Sequence, residues 1–387
     1  MDSTAQRRAH RFKLLTEVGR DAPMGKLLRQ FWHPIALSSD VAMGKARKVR
    51  VLGEDLTLYR GESGRPYLVA GRCAHRCTVL HTGWVEEDQI RCMYHGWRYD
   101  GTGLCTEIPA ETKPRPQPVR ITAYPVQEYC GLLFAYLGEA PAPEFDLPKK
   151  PELEAPGMHT MVTVKVWDCH WLQQVENSLD PVHLAFAHRW GQVGQFGHAV
   201  TAAIPELSYS ETSAGIRQTA KRSDDNVRVS DWTFPNNNHV VAPGASKGDS
   251  WIHVTTWVVP IDETHSYRFT LLGIPASDSV KIEDLHEKYD ISFNPADHSD
   301  LLFDEGLMPD VHEMGLINSQ DYVAVCGQGP VCDRTQEDLS SSDAGIVFLR
   351  RIFFREIEAI QQSRPVKQWT RITDTVHLPT PPLQAAE

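Results

Sequence analysis

The sequence predicts an α+β fold in two parts: an N-terminal all-β domain, then an α+β domain whose antiparallel sheet is flanked by helices. Three observations predict it. From Lys48 to about Leu137, short alternating runs (VRVLG, DLTLYR, PYLVAG, DQIRC, GLLFAYL) are separated by turn clusters such as GESGRP and DGTG. A polar stretch punctuated by Pro141, Pro143, Pro148, Pro151 and Pro156 then reads as a linker. Beyond it, a run of alternating segments lies between two stretches of helical periodicity. At 387 residues the chain is long enough for two cores.

Taken in order, residues 1–46 are expected to be an N-terminal segment packing on the second domain, with PMGKLLRQF (23–31) a short helix opened by a proline. The β domain is expected over 47–140, the linker over 141–157 and the second domain over 158–387. In that domain 168–190 reads as helix. Segments 204–212, 215–222, 226–234, 251–259 and 265–273 read as antiparallel strands, with PNNNH and PGASKGDS as turns. Between Asp278 and Glu313 eleven acids stand against two lysines, so much of the acidity sits in one segment. Its plain reading is a solvated face; its sharper reading is a lid, or a surface docking a basic electron donor. A last helix carries Ile346, Leu349, Ile352 and Phe353 at helical spacing, with Ser342 as its N-cap.

Composition removes some functions. A net charge of −11 leaves nothing broadly basic to meet phosphates, which argues against nucleic acid as a partner. No apolar run approaches the ~20 residues of a membrane span. The opening MDSTAQRRAHRFKLL lacks the apolar centre of a signal peptide, so the chain reads as cytoplasmic. Eight cysteines in such a chain read as thiols or metal ligands.

Two constellations carry chemistry. Within the β domain stands Cys73-Ala-His75, then Cys92-Met-Tyr-His95-Gly-Trp, each loop offering one thiolate and one imidazole. That is the donor set of a [2Fe–2S] centre with two Cys on one iron and two His on the other. A structural Cys2His2 zinc site competes, but short spacings in β-loops followed by His-Gly-Trp fit a zinc finger poorly. Cys77, in the first loop, reads as an unpaired buried thiol. Farther on, Glu-Asn-Ser-Leu-Asp-Pro-Val-His-Leu-Ala-Phe-Ala-His (176–188) sets Asn177, Asp180 and His183 along one helical stripe. His188 falls ~140° round an ideal helix from His183, so both reach one metal only if the helix loosens or breaks. Two His and one carboxylate with open positions is the donor set of non-haem Fe(II) oxygenases. Ordinary polar residues on an amphipathic helix are the plain alternative.

Together these motifs resemble the α-subunits of Rieske non-haem iron oxygenases, most closely the phthalate dioxygenase-like and O-demethylase-like group. The resemblance covers PMGKLLRQFWHPIAL, both cluster loops, WLQQVENSLDPVHLAFAH and NSQDYVAVCGQGPVCDR. It implies that Cys73, His75, Cys92 and His95 hold the cluster and that His183 and His188 bind the mononuclear Fe(II). Asp180 would bridge an iron-ligand histidine to a cluster histidine across a subunit boundary, with Asn177 near the iron. The third protein ligand would be an acid shortly before a glutamine. Asp321, with Gln328 after it, fits; Asp310, Glu313 and Asp333 compete.

The resemblance also implies electrons from NAD(P)H through a separate reductase or ferredoxin, O2 as oxidant, and a head-to-tail homotrimer or stacked trimers. The expected reaction is hydroxylation or dihydroxylation of a small aromatic substrate, an aromatic carboxylate first, with O- or N-demethylation as runner-up. A Rieske electron carrier without oxygenase activity and a zinc-binding interaction protein are readings from other classes. Trp232, Phe234, Val241, Trp251, Trp257 and Phe269 are pocket candidates, most of them expected to be core. Arg217, Lys221, Arg222 and Arg228 lie on expected strands, and alternation alone does not tell which would meet a carboxylate.

Overall fold

The computed structural model describes residues 3–113, 115–188, 201, 203–244, 250–275, 282–289, 293–299 and 315–373. Its contacts divide into two units. The larger joins Met1–Glu17, which holds α1 (Ser3–Thr16), to Asp146–Glu387; the smaller is Val18–Phe145.

The smaller unit opens with α2 (Pro23–Leu28), its proline in the first turn, where a missing N–H costs nothing. Its strands are β1 (Trp32–Leu37), β2 (Lys45–Val51), β3 (Glu54–Arg60), β4 (Pro66–Ala70), β5 (Trp84–Glu86) and β6 (Gln89–Arg91). They continue as β7 (Arg98–Tyr99), β8 (Cys105–Glu107), β9 (Ala123–Tyr124), β10 (Val126–Tyr129) and β11 (Leu132–Tyr136). They form three sheets, ordered β1-β11-β10, β2-β3-β4-β9 and β5-β6-β7-β8. The segment 18–46, expected to pack on the second domain, groups instead with this unit. Strand β1 pairs antiparallel with β11 from Trp32↔Tyr136 to Leu37↔Leu132, and the buried Arg29 guanidinium donates to the carbonyls of Val18, Gly25 and Leu52. The run WHPIAL is buried almost throughout. It therefore lacks the alternation by which the other strands were recognised.

The larger unit is built on one antiparallel sheet, β12-β18-β17-β16-β15-β14-β13. Its strands are β12 (Met158–Trp167), β13 (Glu206–Glu211), β14 (Gly215–Ser223), β15 (Asn226–Thr233), β16 (Asn237–Ala242), β17 (Ile252–Pro260) and β18 (Ser266–Pro275). Two of these were not expected. Strand β12 follows the prolines directly, and β16 begins inside PNNNH. There Asn236 and Asn237 donate their side-chain amides to the carbonyls of Val258 and Thr256, so turn-type residues serve the sheet.

The helices are α3 (Trp171–Ser178), α4 (His183–Phe186), α5 (Ile282–Lys288), α6 (Gly315–Cys326) and α7 (Ala344–Gln361). The single helix expected over 168–190 is thus two, ending within the described residues at Phe186. Ser342 does not cap α7. Ser340 caps a 3-10 turn over 341–343, and Asp343 stands at the N-cap of the helix itself. Most of the acidic segment lies outside the described residues, and none of their helices is long and apolar enough to cross a membrane.

One face of the sheet carries α3 and α7. Gln174 of α3 donates to Ser266 Oγ (2.8 Å), and the Tyr209 hydroxyl of β13 donates to the Leu179 carbonyl (3.1 Å). On the same face Trp232 meets Phe353 of α7, which packs edge-on to Trp171. Phe234 also meets Phe353 and stacks on Trp369 at 4.7 Å. Trp232 and Phe234, offered above as pocket candidates, are core.

A buried ion network holds α3. The Glu176 carboxylate accepts from Arg334 (2.8 Å) and Arg350 (2.6 Å), and Arg350 also pairs with Glu337 at 2.6 Å. Gln173 donates to the carbonyls of Val325 and Gly329 and accepts from Cys332 N, fastening α3 to the end of α6. Replacing Glu176 by Ala leaves two guanidiniums buried without their carboxylate. A loss of about 3–5 kcal/mol in urea denaturation is expected; an unchanged midpoint would show that Glu337 alone neutralises both.

Candidate metal centres

The two cluster loops of the smaller unit are built alike. In the first, Cys73 N donates to Thr78 O and Cys77 N to Cys73 O; in the second, Cys92 N donates to Trp97 O and Gly96 N to Cys92 O. The fifth residue of each loop has positive φ, 57° at Cys77 and 73° at Gly96. Glycine suits that conformation, and Cys77 takes it despite its side chain. Cys77 is free, as expected, but exposed rather than buried.

Cys73 and Cys92 are each 2% exposed, whereas His75 and His95 stand at the surface. The imidazole centroids of His75 and His95 are 4.4 Å apart, and His75 stacks on Trp97 at 4.8 Å. Ala74 N donates to the Tyr99 hydroxyl, which leaves that hydroxyl's proton for Cys73 Sγ at 3.2 Å. Burial pushes the Cys92 thiol up, and the neighbouring Cys73 adds to the shift. Two buried thiols held together would repel as thiolates, so the pair calls for a cation between them. Buried sulfur and exposed imidazole donors fit a [2Fe–2S] group with its thiolate iron inside and its imidazole iron outside. Sequence reasoning missed Tyr99 and the stacking of Trp97, since neither is a ligand type.

The second centre, in the larger unit, arises where a proline breaks a helix. Pro181 disfavours helical backbone at Asp180, so α3 ends and the chain restarts. Asp180 closes a side-chain turn across Pro181: its Oδ1 accepts from Val182 N at 3.1 Å, and Val182 stands at the N-cap of α4. Its backbone carbonyl accepts from His183 Nδ1. His183 Nε2 is thereby left to face Asp321 Oδ1 at 3.5 Å. His188 Nδ1 donates to Gln320 Oε1 (2.7 Å), so its Nε2 faces the same carboxylate oxygen at 3.3 Å. Donor atoms of His183, His188 and Asp321 all lie within 4.8 Å of one another. Asn177 Nδ2 donates to Asp321 Oδ1 at 3.2 Å and fixes the carboxylate.

His188 and Asp321 are 1% and 7% exposed. Burial works to raise the Asp321 carboxyl, but His188, His183 and Arg268 outweigh it and hold the group well below the usual carboxylate range. Burial pulls His188 down, while Asp321 and Gln320 more than restore it. The shared proton between His188 Nε2 and Asp321 is what a divalent metal would displace. Two imidazoles, each with its other nitrogen engaged, and one oriented carboxylate fit a mononuclear iron with open positions.

The structure thus brings Asn177, His183, His188 and Asp321 together. Asp180 touches His183 through its backbone; its carboxylate serves the turn before α4. Gln328 lies away from the centre and bonds to Ala324 O, four residues back on its own helix end. Asp333 is exposed and closes a turn onto Thr335, while Asp310 and Glu313 lie outside the described residues. The glutamine that matters is Gln320. Its signal was adjacency to Asp321, which carries no weight until the fold sets His188 beside it.

The model of the Rieske [2Fe–2S] domain family matches residues 31–129. The 5,5'-dehydrodivanillate O-demethylase oxygenase subunit of Sphingobium sp. (strain NBRC 103272 / SYK-6) is 35% identical, covering 95% of this chain and 85% of the relative. The α-subunit of phenoxybenzoate dioxygenase from Ectopseudomonas oleovorans is 32% identical, over 90% and 85%. The fold is similar to the terminal oxygenase of carbazole 1,9a-dioxygenase from Novosphingobium sp. KA1, with a TM-score of 0.64 at 19% identity, covering 95% and 100%. With both donor sets in one chain, the protein belongs to the Rieske non-haem iron oxygenase α-subunits. It is the terminal oxygenase component of such a system, carrying a [2Fe–2S] cluster and a mononuclear iron and taking electrons from a separate donor.

Proposed function

We propose that Cys73, His75, Cys92 and His95 hold the cluster, that His183, His188 and Asp321 hold the mononuclear iron, and that the substrate is an aromatic carboxylate. The convergence of His183, His188 and Asp321, each backed by its own hydrogen bond, carries the reading. The names of both relatives, dehydrodivanillate and phenoxybenzoate, support an aromatic carboxylate.

When bound, the metals supply electron delivery and O2 activation. The chain's own residues do the positioning. Asp180 O and Gln320 fix which imidazole nitrogen faces inward, Asn177 orients Asp321, and burial of His188 and Asp321 excludes water. Ring hydroxylation places one oxygen atom on the substrate and reduces the other to water, consuming two electrons and two protons. Dihydroxylation places both atoms on the ring for the same electrons and protons. O-demethylation, favoured as a second reading by the 35%-identical relative, hydroxylates the methyl group and releases formaldehyde and a phenol. A separate reductase or ferredoxin supplied by NAD(P)H, a head-to-tail homotrimer or stacked trimers, and a cytoplasmic setting belong to the same proposal.

Metal and sulfide analysis with EPR of the dithionite-reduced protein tests it. About three irons and two sulfides per chain are expected, with O2 uptake on aromatic carboxylates. Zinc without sulfide would sink the assignment. Formaldehyde release separates demethylation from ring hydroxylation. Exchanging His95 for Cys is expected to move the visible and EPR signature toward an all-thiolate cluster of lower potential; an unchanged spectrum removes His95 from the ligand set.

A further inference from the structure

Four cations on β14 and β15 were open candidates for meeting a substrate carboxylate, and the structure separates them. Arg217 is taken, forming a two-pronged pair with Asp231 at 2.8 and 2.9 Å. Lys221 pairs with Asp224 at 2.6 Å on the exposed side. Arg222 and Arg228 are different. Neither has a carboxylate partner among the described residues. Arg222 Nη1 and Nη2 are buried with no acceptor among the described residues, while its Nε donates to Ala203 O at 3.2 Å. Arg228 donates to the Val241 carbonyl and lies over the Trp251 ring at 5.9 Å.

The register sets Arg228 on the helix-bearing face. Tyr209 pairs with Gln218, and Gln218 with Ser230, so the three share a face; Arg228 lies two residues from Ser230 and opposite Ala220. Arg222 stands in the bulge of β14, where alternation lapses, and its charge acts directly on Arg228. The Tyr209 hydroxyl bonds to Leu179 O, four residues before His183. Arg228 therefore lies one row, about 7 Å along the strands, beyond the row that touches the iron-bearing segment. Burial and the Arg222 charge push Arg228 down to about 10, which marks a cation lacking its counter-charge.

We propose that Arg222 and Arg228 form the subsite that receives the carboxylate of the aromatic substrate, holding the ring between themselves and the His183–His188–Asp321 centre. Two neighbouring guanidiniums without a counter-charge among the described residues, one with both Nη atoms buried and unsatisfied, are costly, and a carboxylate accepts from both. The Trp251 ring under Arg228 gives the aromatic body an apolar wall. This inference rests on the aromatic carboxylate reading above.

The test uses metal-loaded holoenzyme and three probes, benzoate, phthalate and 4-methoxybenzoate, each beside its neutral carboxamide. Calorimetric binding and KM from O2 uptake are measured for wild type, Arg222→Gln, Arg228→Gln and Arg228→Lys. The glutamine variants are expected to weaken carboxylate binding by roughly 10- to 100-fold, leave the carboxamide nearly unaffected, and keep the cluster EPR signal. Arg228→Lys is expected to recover part of the loss. Equal loss for carboxylate and carboxamide, with a lowered Tm, would make the arginines structural braces and overturn the proposal. Wild-type turnover of a carboxylate with KM unmoved in every variant overturns the subsite while the substrate reading stands. Turnover of neutral arenes alone overturns both.

Discussion

Asp321→Ala is expected to empty the mononuclear site and leave the cluster intact. Asp321 Oδ1 is the one atom that both His183 Nε2 and His188 Nε2 face, at 3.5 and 3.3 Å. Its loss leaves two neutral imidazoles, a much weaker donor set for Fe(II). Outer-sphere changes alone commonly cost ~10–100-fold in metal affinity, and loss of a direct ligand should exceed that. Iron is expected to fall from about three to about two per chain at unchanged sulfide, with O2-dependent turnover abolished. The reduced-cluster EPR signal serves as the folding control, because Cys73, His75, Cys92 and His95 lie in the other compact unit. Full iron content in this variant would exclude Asp321 as a ligand.

Asp180→Asn is expected to retain both metals and largely lose coupled turnover. The substitution separates the two things Asp180 does. An asparagine Oδ1 still accepts from Val182 N, so the turn that restarts the chain after α3 survives. The backbone carbonyl that receives His183 Nδ1 is untouched. What disappears is the negative charge, which is what a bridge between an iron-site histidine and a neighbouring subunit's cluster histidine requires. Stopped-flow reoxidation of the reduced cluster, read beside metal content, checks this. Wild-type rates with a neutral side chain would mean that the turn is the whole role of Asp180, and would remove the support it gives to a head-to-tail trimer.

Much of the site was legible because metal chemistry restricts residue type. Few donors serve iron, and Cys73–His75, Cys92–His95 and His183–His188 stand out by type and spacing. The obstacle noted in the sequence, ~140° between His183 and His188 on an ideal helix, is resolved as a break, and Pro181 is its visible cause. Carboxylates gave less. Asp321 and Asp333 both lie within NSQDYVAVCGQGPVCDR, yet one is buried between two imidazoles and the other closes an exposed turn. Gln328 looked like the relevant glutamine by position in the motif, whereas Gln320 does the work, because α6 turns that residue toward His188.

The sequence by itself determined the two-part α+β architecture, the candidate donor types of two metal centres and the membership of a family. Alternation, helical periodicity and donor chemistry are local properties of the chain. Only the tertiary structure decided which sheet claims residues 32–37, which wall is core at Trp232 and Phe234, and which strand cations keep a partner. Arg217 and Arg228 are both arginines on the same hairpin. One lies beside Asp231 and the other against a carbonyl and an indole ring. That difference is set by cross-strand register and by side chains brought from distant parts of the chain, which no short stretch of sequence encodes.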